Sequence, residues 1–199
     1  MTARILDGKS IAMMLEEALA KQSAALEKRA GRKPGLFVVL VGDDPASAVY
    51  GRNKPRACAR TGVNCFESIL PASTSQDELL GIIAEANARE DVDGILVQLP
   101  LPAHICAEAV IDRIAPEKDV DGFHMLSAGA LLTGQRTLGF RPCTPMGVMK
   151  LIEEAGVDPA GKNVLVIGRS NIVGKPLAIM LLEKHATVTI AHSRTTDLK

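Results

Sequence analysis

The chain has 199 residues, 23 basic and 23 acidic side chains, 47% hydrophobic and 3% aromatic residues, and no tryptophan. Its apolar runs break well short of the roughly 18 residues of a membrane span, and balanced charge with few stacking rings argues against nucleic acid as the main partner, because phosphate binding needs a concentrated positive surface. A soluble globular protein of one large domain, or one and a half, is expected.

Charged residues Arg4, Asp7, Lys9, Glu16 and Glu17 interrupt the first twenty positions, which lack the apolar core of a signal peptide and so point to the cytoplasm. Ser10 to about Lys28 has the helical spacing of Ile11, Met14, Leu15 and Ala18, with Ser10 as N-cap. Leu36–Val41 is a continuous apolar run ended by Gly42, the pattern of a strand covered on both faces. A helix from about Ala46 towards Arg60, a strand Cys65–Leu70, a helix Gln76–Ala88 and a strand Ile95–Leu99 follow, ending in Pro100-Leu101-Pro102. This β-α-β-α-β order with short connections predicts a mainly parallel sheet with right-handed crossovers.

Asp119–Pro142 is glycine-rich and weakly periodic, and reads as a hinge. Thr144 as N-cap and Pro145 at the first helical position begin a helix to Glu154. Strand Val164–Ile167, a glycine-flanked turn, helix Pro176 to about Lys184 and strand Thr187–Ala191 form a second parallel unit. Two strands are few for a dinucleotide-binding domain, which leads to the expectation that further residues follow Lys199. The four cysteines, at 58, 65, 106 and 143, lack CxxC spacing and read as buried reduced thiols, and the four histidines lack HExxH spacing, so no protein-bound metal is expected.

Three constellations carry chemistry. Gly168-Arg169-Ser170-Asn171-Ile172-Val173-Gly174-Lys175-Pro176 lies between strand and helix, where backbone N–H groups and the positive helix terminus face a phosphate. Its spacing is neither G-x-G-x-x-G nor a P-loop, and an ordinary βα turn is the alternative. At the next strand tip, His192-Ser193-Arg194-Thr195 contains no acid, which favours NADP over NAD, with solvated loop residues as the alternative. Tyr50 and Lys54 share a helix face at the carboxyl end of the first strand, with a solvated face as the alternative, and Gln98 lies near the end of the third, with a hydrogen-bonded core glutamine as the alternative. Asp121 is either a turn acid or a group directed into a cleft.

Together with Val41-Gly42-Asp43-Asp44-Pro45-Ala46-Ser47, Asp93-Gly94-Ile95 through Pro102, Lys118-Asp119-Val120-Asp121-Gly122-Phe123 and Arg141-Pro142-Cys143-Thr144-Pro145, these residues resemble the bifunctional methylenetetrahydrofolate dehydrogenase/methenyltetrahydrofolate cyclohydrolase family, the FolD family. The match runs along the whole chain in order. The resemblance implies an α/β protein of two domains: residues 1–139 as a three-layer folate-binding catalytic domain with a mainly parallel sheet, and 140–199 as a partial Rossmann-type NADP-binding domain. It implies a homodimer with the folate site between the domains, acting on tetrahydrofolate derivatives in one-carbon metabolism and purine biosynthesis. Lys54 is then the catalytic lysine, Tyr50 borders the folate, Gln98 holds the lysine, Pro100 and Leu101 line the substrate, and Asp121 hydrogen-bonds the pterin. Gly168, Arg169, Ser170, Ser193 and Thr144 would bind NADP. The family continues for about another third of its length, including a Pro-Gly-Gly loop at the folate site. Pro55 departs from helical preference directly after Lys54, predicting a kink or a helix restart there. Two other readings fit the same residues: a fragment that binds nucleotide or folate without catalysis, and another two-domain NADP oxidoreductase.

Overall fold

The computed structural model describes residues 3–42, 45–135 and 137–198, the side chains of residues 45–52 excepted. Contacts divide the chain into two compact units, one from Asp7 to Asp119 and the other joining the residues up to Leu6 to those from Val120 onward. This boundary and the sequence division at 139/140 differ over the segment 120–139, part of which packs against the carboxy-terminal unit.

The amino-terminal unit begins with α1 (Gly8–Ala30), which starts two residues before the expected Ser10. Asp7 is the N-cap instead: its carboxylate accepts the N–H of Lys9 at 3.0 Å and the hydroxyl of Ser10, satisfying orphan donors of the first turn. Gly31 ends the helix in the left-handed region at φ 73°. Next come β1 (Gly35–Val41), α2 (Pro45–Thr61), β2 (Asn64–Leu70), α3 (Gln76–Ala88), β3 (Gly94–Val97), α4 (Ala107–Arg113) and a 3-10 turn (Pro116–Lys118). All strand pairs are parallel in the order β2-β1-β3, with Phe37 opposite both Phe66 and Ile95. Period-two alternation puts Phe37, Val39 and Val41 on one face, where they pack with Leu79 and Ile83 of α3 and Val110 of α4. Leu79, Ile83, Ile95 and Val110 are fully buried, so this face is the core.

α2 runs through Pro55 as one helix, so the expected restart at Lys54 does not occur. Two further expectations change. β3 ends at Val97, although Gln98 still donates its backbone N–H to Val39 O at 2.9 Å, and the Leu99–Pro100 peptide is cis. Cys106 and Cys143 are exposed and only Cys58 is buried, with none of the four cysteines in a disulfide.

In the carboxy-terminal unit the supposed hinge contains α5 (Met125–Leu132), capped by the His124 ring, which accepts Leu126 N–H at 3.1 Å. Its strongly apolar composition hid the helical period, while Ala130 and Leu131 are buried. α6 (Cys143–Glu154) starts one residue before Thr144, with Pro142 at the cap position and no side-chain cap, so Thr144 lies within the first turn. The Arg4 guanidinium bonds the carbonyls of Glu154 at 2.8 Å and Ala155 at 3.2 Å, satisfying the carbonyl end of α6. β4 (Asn163–Ile167), α7 (Gly174–Glu183) and β5 (Thr187–Ala191) complete the unit, with β4 and β5 parallel. Val166, Ala178, Leu181 and Ala186 form its core. No described helix is long and apolar enough to cross a membrane.

Candidate active site

In the amino-terminal unit Lys54 and Gln98, 44 positions apart, meet directly: the Lys54 ammonium donates to Gln98 Oε1, and Gln98 Nε2 donates to Leu99 O at 2.8 Å. Both residues are half-buried. α2 presents Lys54 three turns into its length, and Gln98 follows the last residue of β3, so the pair stands at the carboxyl end of the parallel sheet, where open α/β folds place ligands. Gln98 is thereby oriented with its carbonyl towards the lysine, since its amide nitrogen is already committed. Leu101 is spent partly on packing against the core, and Pro100 is exposed. Tyr50 belongs to α2, but its side chain lies outside the described residues.

Asp121 is half-buried in the carboxy-terminal unit, between two anchored neighbours. Val120 O accepts from Cys143 Sγ at 3.9 Å. Gly122 has φ 67°, and a Cβ there would sit 2.5 Å from Phe140 O and 2.9 Å from the Arg141 carbonyl carbon, so only glycine allows segment 120–122 to lie this close to 140–141. Arg141 in turn holds Glu183, the last residue of α7, through a two-pronged ion pair, with Nη2 to Oε1 at 2.9 Å. Glu183 raises the Arg141 pKa above its ordinary value. Nothing in the sequence indicated this pairing, because its members are 42 positions apart and neither sits in a motif with the other.

The turn from Gly168 to Gly174 has the form of an anion cradle. Ser170 Oγ accepts the N–H groups of Val173 at 3.1 Å and Gly174 at 3.2 Å, serving as the cap that Val173 itself does not provide for α7. A hydroxyl that accepts twice keeps its proton as a donor. Gly168 has φ 130° and open space where a Cβ would be, whereas a Cβ on Gly174 would collide with the Gly168 carbonyl oxygen. The α7 terminus therefore packs tightly on the strand end, and an accessible hollow adjoins the turn. That hollow measures about 390 Å³ and is lined by Val166, Ile167, Gly168, Ser170, Val173 and Gly174, among others. At the tip of β5, His192 Nδ1 accepts Arg194 N–H at 3.1 Å and Thr195 Oγ1 accepts His192 N–H at 2.9 Å. These bonds shape a turn that leaves Ser193 and Arg194 exposed, and Arg169 is exposed as well. Such donors without an acid fit the phosphorylated ribose of NADP. Thr144, on α6, is exposed.

A larger hollow of about 470 Å³ lies in the same unit, among Leu6, Leu151, Ile152, Val157, Val164 and Leu165. Its walls are mostly apolar, with Lys162 and Asn163 as the polar exceptions.

The family model for the tetrahydrofolate dehydrogenase/cyclohydrolase catalytic domain matches residues 6–121, and that for the NAD(P)-binding domain of the same family matches 142–199. The bifunctional protein FolD of Paracidovorax citrulli is 55% identical over 199 residues, spanning 100% of this chain and 69% of the relative. That of Anaeromyxobacter dehalogenans is 56% identical over 194 residues, 98% of this chain and 68% of the relative. Among solved structures, the FolD methylenetetrahydrofolate dehydrogenase/cyclohydrolase of Campylobacter jejuni superposes with a TM-score of 0.92 at 44% identity, covering 96% of this chain and 67% of that one. The Trypanosoma brucei enzyme, complexed with NADP cofactor and inhibitor, gives 0.93 at 38% identity, covering 98% and 66%. By both family models, and by identity sustained along its full length, the chain belongs to the tetrahydrofolate dehydrogenase/cyclohydrolase family.

Proposed function

We propose that this chain is a bifunctional enzyme that oxidises 5,10-methylenetetrahydrofolate to 5,10-methenyltetrahydrofolate with NADP and hydrolyses the product to 10-formyltetrahydrofolate. The observation that carries this reading is the direct Lys54–Gln98 pair at the carboxyl end of the parallel sheet. When bound, NADP accepts the hydride that leaves the bridging carbon. The turn from Gly168 to Gly174 binds its phosphates through backbone N–H groups and the Ser170 hydroxyl, and Arg169, Ser193 and Arg194 meet the ribose phosphate. Thr144, exposed in the first turn of α6, is assigned to the same cofactor.

Loss of hydride, two electrons with the proton, leaves a methenyl cation delocalised over two nitrogens. That step needs orientation more than it needs a base. Water then attacks the cationic carbon and loses one proton, the ring nitrogen takes a proton as its bond to that carbon breaks, and the remaining hydroxyl proton passes to solvent as the formyl carbonyl forms. A single lysine can accept the first proton and deliver the second. Gln98, being neutral, fixes the lysine without trapping its charged form as a carboxylate would. Asp121 suits the donor edge of a pterin, whose ring N–H and amino group match two carboxylate oxygens. Tyr50, Pro100 and Leu101 are assigned to the substrate surface.

We also read the protein as a cytoplasmic homodimer. Exposed Cys106 and Cys143, neither in a disulfide, fit a reducing compartment, and α1 leaves Met13, Met14 and Leu19 about half exposed, apolar surface of the kind a second copy covers. Sedimentation measures the assembly. The function is tested by following methenyl absorbance with methylenetetrahydrofolate and NADP supplied. Lys54→Met abolishes hydrolysis of added methenyltetrahydrofolate, a fall of roughly 10²–10⁴-fold for a lost acid–base group, and undiminished turnover rules the role out.

A further inference from the structure

We infer that Arg141 and Glu183 are positioning residues for folate recognition: their ion pair braces the backbone of 120–122, and through it the Asp121 carboxylate, against the helix that carries the nucleotide turn. This rests on the assignment of Asp121 to the pterin, and every contact lies within the carboxy-terminal unit.

The chain of contacts is short. α7 begins at Gly174, which closes the nucleotide turn, and ends at Glu183. The Glu183 carboxylate takes both prongs of the Arg141 guanidinium, and the two side chains are only 23% and 27% exposed. A fork matched to a planar carboxylate fixes orientation as well as distance, which a lysine in the same place would not. The carbonyls of Phe140 and Arg141 then lie against Gly122 so closely that a single methyl group does not fit. Cys143, two residues after Arg141, holds Val120 from the other side. Asp121 is therefore flanked on both sides by residues that segment 140–143 immobilises. That segment is fastened to α7 by the two-pronged ion pair of Arg141 with Glu183. Breaking the pair frees 140–141 to shift, and Asp121 moves with Gly122, while the turn from Gly168 to Gly174 keeps its own internal bonds through Ser170.

The test is a double-mutant cycle on the purified protein, with affinity for 5-formyltetrahydrofolate, a stable reduced folate, and for NADP both measured by calorimetry. Arg141→Met is expected to weaken folate roughly tenfold, the scale of one misplaced charge-assisted hydrogen bond, with NADP affinity retained. In an Asp121→Ala background the same change should cost almost nothing further, because what it positions is gone. Equal losses in both backgrounds, an unchanged folate affinity in Arg141→Met, or a parallel loss of NADP affinity each overturn the proposal. Should Arg141→Met not fold, Glu183→Gln, which keeps shape and one acceptor, is taken through the same cycle. If the unaltered protein binds no reduced folate, the Asp121 assignment falls separately. Amide hydrogen exchange at 120–122 then still decides the brace: faster exchange in the variant supports it, and unchanged exchange overturns it.

Discussion

The Lys54 ammonium bonds the side-chain carbonyl of Gln98, and Gln98 is itself held by Leu99 O at 2.8 Å. The second bond matters because an amide can turn over; with its nitrogen committed, the oxygen is the face left for the lysine. A glutamate at 98 offers an oxygen in the same place but adds a negative charge that favours the charged lysine. Gln98→Glu should therefore slow methenyl hydrolysis by about 10- to 100-fold, less than complete loss of an acid–base group, and should shift the rate–pH profile towards higher pH. A variant with unaltered rate and profile would show that Gln98 only packs.

Gly174 makes the corresponding prediction for the cofactor. Alanine there drives its methyl into the Gly168 carbonyl, so the turn must open and its N–H groups lose their common aim. Losing one such bond, at about 1.5–3 kcal/mol when a charged partner is involved, corresponds to roughly 10- to 100-fold weaker NADP binding. Lys54 and Gln98 belong to the other unit, so hydrolysis of added methenyltetrahydrofolate should persist in Gly174→Ala. Equal loss of both activities would count against separate duties for the two units.

What the sequence made legible follows from where its signals are local. β1 reveals itself by an uninterrupted apolar run, and the nucleotide turn by glycines at a strand–helix junction; the structure matches these closely. α5 escaped because Met125–Leu132 is apolar on nearly all sides, leaving no period to detect, and it stands in a glycine-rich neighbourhood that reads as loop. Ser10 was an attractive cap, but Asp7 lies one turn earlier and its carboxylate satisfies Lys9 and Ser10 together. Pro55 broke a local rule without ending α2, and in the turns after it Cys58 and Thr61 are buried. The Lys54–Gln98 contact and the Arg141–Glu183 brace are long-range pairings. Motif content located the first pair by function, whereas the second has no signature short of the fold.

The cysteines separate into two classes. Burial, then the neighbouring Cys58, pushes the Cys65 thiol up to about 12, and burial likewise raises Cys58. Since the thiolate is the reactive form, both should resist iodoacetamide at pH 7.5 in the folded protein, while exposed Cys106 and Cys143 are alkylated first. Peptide mass spectrometry after a timed pulse reads the order, and early labelling of Cys65 would contradict the packing of α2 on β2.

Asp93 provides a pH-dependent contribution whose sign can be checked. Its carboxylate accepts both prongs of Arg32, at 2.7 and 2.8 Å, and the N–H of Gly35 at 2.8 Å, tying the start of β1 to the turn before β3. Arg32 above all, and then the Gly35 N–H, hold its pKa below the ordinary 3.8. A carboxyl whose folded pKa is depressed contributes stability that is fully present above its unfolded value and disappears as pH falls through the folded one. The side chains of the pair are 43% and 46% exposed, so solvent screening limits the effect, to at most about 1 kcal/mol. Asp93→Asn should thus lower stability towards urea by that amount at pH 7. The gap between variant and parent should close once the pH drops below 3.8, as the parent carboxyl takes up its proton. A gap that widens in acid would mean that the contact with Arg32 does not stabilise the ionised form.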